Sequence, residues 1–177
     1  MAKQKAASSR DFHEKRSEVR EEKEFESRTV ELARVTRVTK GGKRMRFRSV
    51  ILIGDKKGRV GYGVAKGADV AISINKSTRK AKKNLITIPL VNETIPHDVD
   101  AKFGAALVLI KPAPRGAGIK AGGALRSVLE LAGVPNVVGK LLGSKNKINN
   151  IKATFEALKK LRIKSPKSHE VKAAAKE

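Results

Sequence analysis

The side chains with the most chemistry in them lie between Lys40 and Gly63, in the run KGGKRMRFRSVILIGDKKGRVGYG. Arg44, Arg46 and Arg48 recur at every second residue. Lys40, Lys43, Lys56, Lys57 and Arg59 flank them, and Asp55 is the one acid of the run. A guanidinium is a planar fork of donors that suits the oxygens of a phosphate. A spacing of two sets all three arginines on one side of an extended strand, whereas a helix would scatter them. Met45, Phe47, Ser49, Ile51 and Ile53 then make the other side, an apolar back. Gly41 and Gly42 before the strand, and the segment Gly54 to Gly58 after it, signal turns, because glycine takes positive φ at little steric cost. The expected chemistry is binding to a polyanion's backbone, with RNA the first candidate.

Other chemistries find less support. Gly116, Gly118, Gly122 and Gly123 precede a helical pattern, with Arg115, Lys120 and Arg126 close by. Backbone N–H groups at such a helix start can hold an anion; the alternative is a loop that only has to bend sharply. A dinucleotide fingerprint is not met, because Gly61 and Gly63 are followed by Gly67, one residue too late. Gly139-Lys140 is followed by Leu141, so no phosphate-binding P-loop is present either. His97, Asp98 and Asp100 read better as a turn or edge strand than as metal ligands. No catalytic constellation stands out, and the expectation is a protein that is not an enzyme, with no metal, no cofactor and no small-molecule substrate. The chain has no cysteine, hence no disulfide framework.

These residues need strands and helices to position them. Residues 29–38 (TVELARVTRV) are rich in β-branched side chains and read as a first strand carrying Arg34 and Arg37. The Thr39–Lys43 turn leads into the arginine strand, and Val60, Tyr62 and Val64 alternate in a third. Residues 67–86 read as a helix with Val70, Ala71, Ile74, Thr78, Ala81 and Leu85 inward. Lys76, Arg79, Lys80, Lys82 and Lys83 crowd its second half; this suits the helix dipole, but exceeds what the dipole needs. A second module follows. It has strand patterns at 85–91, 95–99 and in the continuous apolar run 103–110, then a helix at 124–132, a strand at 136–142 and a helix at 149–161.

The formal net charge is +23. Residues 1–28 hold eight basic and seven acidic residues and are nearly neutral, whereas 29–177 hold 32 basic against 10 acidic. A body this cationic repels itself unless a polyanion neutralises it. Aromatics make up only 3% of residues, which argues against stacked bases and for contacts to phosphate and ribose. No apolar run is long enough to span a membrane, and no membrane partner is expected. The ends, 1–28 and 163–177, read as a charge-mixed extension and a basic Lys/Ala-rich tail without a firm apolar stripe.

Read together, the motifs Gly41-Gly42-Lys43 with Phe47, VILIGDKKGRVGYGVAKG, KPAPRGAGIKAGGALRSVLELAGVPNV and GSKNKINNIKATFEAL closely resemble the bacterial-type fifth protein of the small ribosomal subunit, over about residues 29–162. The resemblance implies an α+β fold. Residues 29–88 would form a double-stranded-RNA-binding-like β-β-β-α domain without that fold's usual first helix, and 89–162 a two-layer β-β-β-α-β-α domain. It implies a structural, rRNA-binding role in a cytoplasmic or organellar ribosome, fixing the head relative to the body near the mRNA entrance. The fourth and eighth small-subunit proteins would be neighbours, with Arg115, Gly118 and Arg126 at protein contacts linked to decoding accuracy. The Lys40–Lys43 loop would reach rRNA at the neck. Arg34, Arg37, Arg44, Arg46, Arg48, Lys56, Lys57, Arg59, Lys76, Arg79, Lys80 and Lys83 complete the expected rRNA-binding set.

Overall fold

A computed structural model describes residues 25–162. The expectations for residues 1–24 and 163–177 lie outside the described residues. The chain divides into two units: one runs through Leu85 and includes Leu131–Gly133, the other holds Ile86–Glu130 and continues from Val134.

The first unit is built on β1 (Glu26–Thr39), β2 (Gly42–Gly54) and β3 (Arg59–Gly67), followed by α1 (Val70–Lys83). With β4 (Leu85–Thr87) the sheet order is β1-β2-β3-β4. Both β1–β2 and β2–β3 are antiparallel. Thr39 pairs with Gly42, so the first connection is a two-residue hairpin loop, Lys40-Gly41, tighter than the five-residue turn expected. The Thr39 hydroxyl donates to the Gly42 carbonyl at 3.0 Å.

The helix α1 starts at Asp69, whose carboxylate accepts from the Val70 N–H at 2.7 Å. Its buried stripe is Ser73, Ser77 and Ala81, with Ile74 and Leu85 only partly buried. This corrects the expected stripe: Ala71 is exposed, and small polar residues face the sheet instead. The reason lies in β3. A Cβ on Gly63 would sit 2.0 Å from the Ser77 carbonyl oxygen, one on Gly61 2.5 Å from that of Ala81, and one on Gly67 2.6 Å from the Ser73 nitrogen. Backbone presses on backbone, and no large side chain fits between. The three buried serines satisfy one another. Ser73 Oγ donates to Ser49 Oγ at 2.6 Å, Ser49 and Ser77 hydroxyls share a 2.6 Å bond, and Ser77 Oγ donates to the Ser73 carbonyl at 2.9 Å.

The second unit has β5 (Val99–Phe103), β6 (Ala106–Pro112), β7 (Ile119–Lys120), α2 (Gly123–Ala132), β8 (Val137–Leu142) and α3 (Lys147–Lys159). This is the expected order of three strands, helix, strand and helix, but two strands are not where the sequence put them. The segment from Leu85 belongs to the first sheet as β4. Residues 95–98 are not a strand, and the apolar run 103–110 is broken by a hairpin turn at Gly104, where φ is +59°. The continuous run hid this turn because neither Gly104 nor Ala105 is polar. The sheet order is β5-β6-β8-β7, with β7 parallel to β8 and the other pairs antiparallel. Val99, Ala101, Val108, Ile110 and Val137 are buried on one face, and Leu125, Ile151, Phe155 and Leu158 of the helices are buried too. Gly139 lets α2 approach, since a Cβ there would sit 2.4 Å from Leu125 Cδ2. Helix α2 ends where Gly133 turns to φ +75° and the Val134 N–H donates back to the Leu129 carbonyl at 3.1 Å.

Candidate nucleic-acid interface

Register decides which cations meet. In the first sheet Arg37 stands directly opposite Arg44, Val35 opposite Arg46, and Ala33 opposite Arg48. On the other side of β2, Arg48 is paired with Lys66. Directly paired residues project to the same face, so Arg37, Arg44, Arg46, Arg48 and Lys66 share one front. The serine cluster and α1 lie on the back, with Ser49. A groove of about 300 Å³ opens on this front, lined by Val35, Thr36, Arg37, Arg44, Arg46 and Lys66. Lys66 was missed in the sequence, where it follows an apolar alternation and no basic neighbour marks it. Its period-two register with Val60, Tyr62 and Val64 was the available signal.

The remaining expected residues do not form one patch. Arg34 pairs with Phe47 and therefore projects to the back of the sheet, away from Arg37. Lys40, Gly41, Gly42 and Lys43 form the exposed hairpin tip. Lys56, Lys57 and Arg59 lie at the other end of β2, whose 13 residues separate the two turns by roughly 40 Å. Lys76, Arg79 and Lys83 are exposed on α1 at steps of three and four, a separate stripe in the helical layer. Lys80 Nζ donates to the Val64 carbonyl at 3.3 Å.

Several of these cations already have acidic partners. Arg48 lies 3.7 Å from Glu31, Lys56 is 2.5 Å from Glu26, and Arg59 Nε donates to Asp55 at 2.6 Å. The Arg59 guanidinium also stands 5.1 Å from the centre of the Phe25 ring. Burial alone would push the Asp55 carboxyl up. The Arg59 side-chain hydrogen bond and the N–H groups of Lys57 and Arg59 outweigh it and hold the carboxyl below its ordinary value. The β2–β3 turn is thus largely a self-neutralised structure, and the anion-ready charge concentrates on the groove and the hairpin tip.

In the second unit, Arg126 Nε is paired with Glu130 at 2.7 Å one turn along α2, and Arg115 with Glu93 at 3.8 Å. Both pairs are exposed and contribute little to stability. Gly118 has φ +69°. Its N–H donates to the Asn136 side-chain oxygen at 3.1 Å and its carbonyl accepts from the Val137 N–H at 3.1 Å. The Ala117 N–H is taken by the Pro114 carbonyl. The Ala117 and Gly118 amides are therefore engaged within the loop and not turned to an anion. Buried Asn136, unremarked in the sequence, organises this region: besides Gly118, its Nδ2 donates to the Glu93 carbonyl and its own carbonyl accepts from Thr94 Oγ1 at 2.7 Å. His97 has both ring nitrogens engaged, Nε2 accepting from the Arg162 N–H and Nδ1 donating to the Asp98 carbonyl. Among the described residues no group of acids and histidines is arranged to hold a metal, and no helix is long and apolar enough to cross a membrane.

A cationic sheet face with a groove, a glycine-bearing hairpin tip and few aromatics define a protein that binds nucleic-acid backbone. The family models agree and are more specific: that for the N-terminal domain of ribosomal protein S5 matches residues 25–89, and that for its C-terminal domain matches 101–174. The chain belongs to the ribosomal protein S5 family. It is accordingly an RNA-binding protein of the small ribosomal subunit, active in translation as a structural, non-enzymatic component.

Proposed function

We propose that this protein holds the small-subunit head relative to the body from a position near the mRNA entrance, in the ribosome of the cytoplasm. Its first unit grips rRNA at the neck through the hairpin tip Lys40–Lys43 and the front carrying Arg37, Arg44, Arg46 and Lys66. Arg48, Lys56, Lys57 and Arg59 add to the field, while Arg34, Lys76, Arg79, Lys80 and Lys83 serve other rRNA contacts. Its second unit docks on protein neighbours, the fourth and eighth of the subunit. Arg115, Gly118 and Arg126 lie in the contact with the fourth, through which decoding accuracy is tuned. The observation that carries this reading is the front of the first sheet, where Arg37, Arg44, Arg46 and Lys66 line one groove and Arg48, next along β2, stands beside Glu31.

Gly41 offers a clean test, because a Cβ there meets nothing within 4 Å and its φ is not left-handed. Gly41→Val should leave the fold intact and crowd the approaching backbone. Chemical footprints of assembled subunits should change at the neck. Footprints identical to wild type would rule out the hairpin contact. Gly42 is less suitable, since its φ of +136° would itself be strained by a side chain.

A further inference from the structure

We infer that the front of β2 is a track for successive phosphates of a single RNA strand, with two seats and a built-in stop. The inference rests on the rRNA-binding reading above and says how that face would bind. Arg44, Arg46 and Arg48 repeat every second residue of β2, about 7 Å apart. That interval is of the same order as the phosphate repeat along one nucleic-acid strand, so a backbone running along β2 meets one guanidinium per nucleotide.

The cross-strand partners turn this row into seats. Arg37 and Arg44 face each other as a directly opposed pair in β1 and β2. Like charges in that position destabilise a sheet, and an anion between them removes the repulsion. One row further in, Arg46 lines the groove, Val35 opposite contributes no charge, and Lys66, in register with Arg48 of the next row, lines the same groove from β3. These make a first and a second seat. The third row would be Arg48, but Glu31 stands 3.7 Å from its guanidinium. Neither Glu31 Oε2 nor Arg48 Nε has a hydrogen-bond partner, and both atoms are closed to solvent. A carboxylate at that point repels a third phosphate and keeps Arg48 from serving one. Glu31 is therefore a positioning residue that ends the track and sets where along β2 the strand lies.

The bound strand would lie with its bases away from the sheet, because the groove offers no aromatic ring to stack on. The chemistry recognised is the ribose-phosphate chain and not base sequence.

The test uses the full-length chain and a single-stranded oligoribonucleotide of about ten nucleotides, with affinity measured across a salt series. Arg44→Ala and Arg46→Ala should each lower the slope of log K against log salt by about 0.7, the value for one phosphate on a single strand. Because Glu31 stands beside Arg48, Arg48→Ala should lower the slope by well under ~0.7. Glu31→Gln should raise it by about 0.7, and Arg48→Ala should then remove that gain in the Glu31→Gln background. Two adjacent methylphosphonate linkages should abolish the effect of the Arg44 and Arg46 substitutions. Circular dichroism on each variant checks that the fold persists. Slopes unchanged by Arg44→Ala and Arg46→Ala, in a protein that still binds RNA, would overturn the track and leave the rRNA-binding role to other surfaces. A Glu31→Gln slope equal to wild type would overturn the stop. Failure of the wild-type chain to bind either this probe or small-subunit rRNA would remove the underlying reading itself.

Discussion

Asp55 holds together the turn in which the sequence pointed to free cations. Its Oδ1 accepts from the Lys57 and Arg59 N–H groups at 2.8 and 3.0 Å, and its Oδ2 from Arg59 Nε. Only 4% of its side chain is exposed. Hydrogen bonds to a charged group each contribute more than neutral ones, so Asp55→Asn should cost about 2 kcal/mol at neutral pH. The pH dependence has a definite sign. The folded carboxyl titrates below its unfolded value, so its contribution is complete above the ordinary carboxylate range near ~4 and is lost as pH falls through the lowered value. Wild type and Asp55→Asn should converge in denaturant midpoint at acid pH; a gap that persists there would mean the turn does not depend on the ionised carboxylate. Ser49 makes a related point. On the apolar back of an alternating strand it looks like a misfit, yet it is fully buried because Ser73 and Ser77 arrive from α1 to satisfy it.

At the scale of elements, the contact of α1 with β3 is the tightest constraint in the first unit. Gly63→Ala would place a methyl group 2.0 Å from the Ser77 carbonyl and 2.8 Å from the Ala81 nitrogen. Neither atom can move without the helix, so the substitution should cost about 3 kcal/mol and lower Tm. A variant with wild-type Tm would show that α1 can ride outward freely. The distal hairpin of β1 and β2 makes the opposite demand. Beyond the Phe47–Gly67 pair β2 has no β3 partner, and a two-stranded ribbon is marginal by itself. Val38 there is 72% exposed and Met45 51%, while Arg37 opposes Arg44 in register. Arg44→Ala should therefore stabilise the free protein by ~0.5 kcal/mol at low salt while weakening its RNA complex. A Tm that falls on this substitution would show that the arginines are not in mutual repulsion. Function here is held at a cost in stability.

At the scale of the whole molecule, a net charge of +23 makes binding strongly dependent on salt. With about six to ten phosphates neutralised, affinity for small-subunit rRNA should fall ~10³–10⁵-fold between low and moderate salt. Filter binding across a salt series measures this, and a flat response would exclude backbone contacts as the source of affinity. The two units carry their charge differently: Arg37, Arg44, Arg46 and Lys66 of the first gather on one groove, whereas Arg115 and Arg126 of the second are paired to Glu93 and Glu130 of the same unit. Much of this division was legible in the residues. The 3.6-residue pattern of Leu125, Val128 and Leu129 marked α2, and the glycine signals marked both turns of the first sheet. Less legible were Gly104, where an apolar turn interrupts an apolar run, and α1, whose inward face is serine. For α1 the deciding contacts come from Ser49 and the glycines of β3, which no helical period along the sequence reveals.

Local order followed from the amino acids alone: the alternation from Arg44 to Ile53 made an extended strand with one cationic side, because side chains on a strand alternate whatever surrounds it. Which cations face one another was settled only by the folded chain. Strand register brought Arg37 and Lys66 to that side, turned Arg34 away and set Glu31 against Arg48, since hydrogen-bonded pairing joins residues that no spacing along the sequence connects.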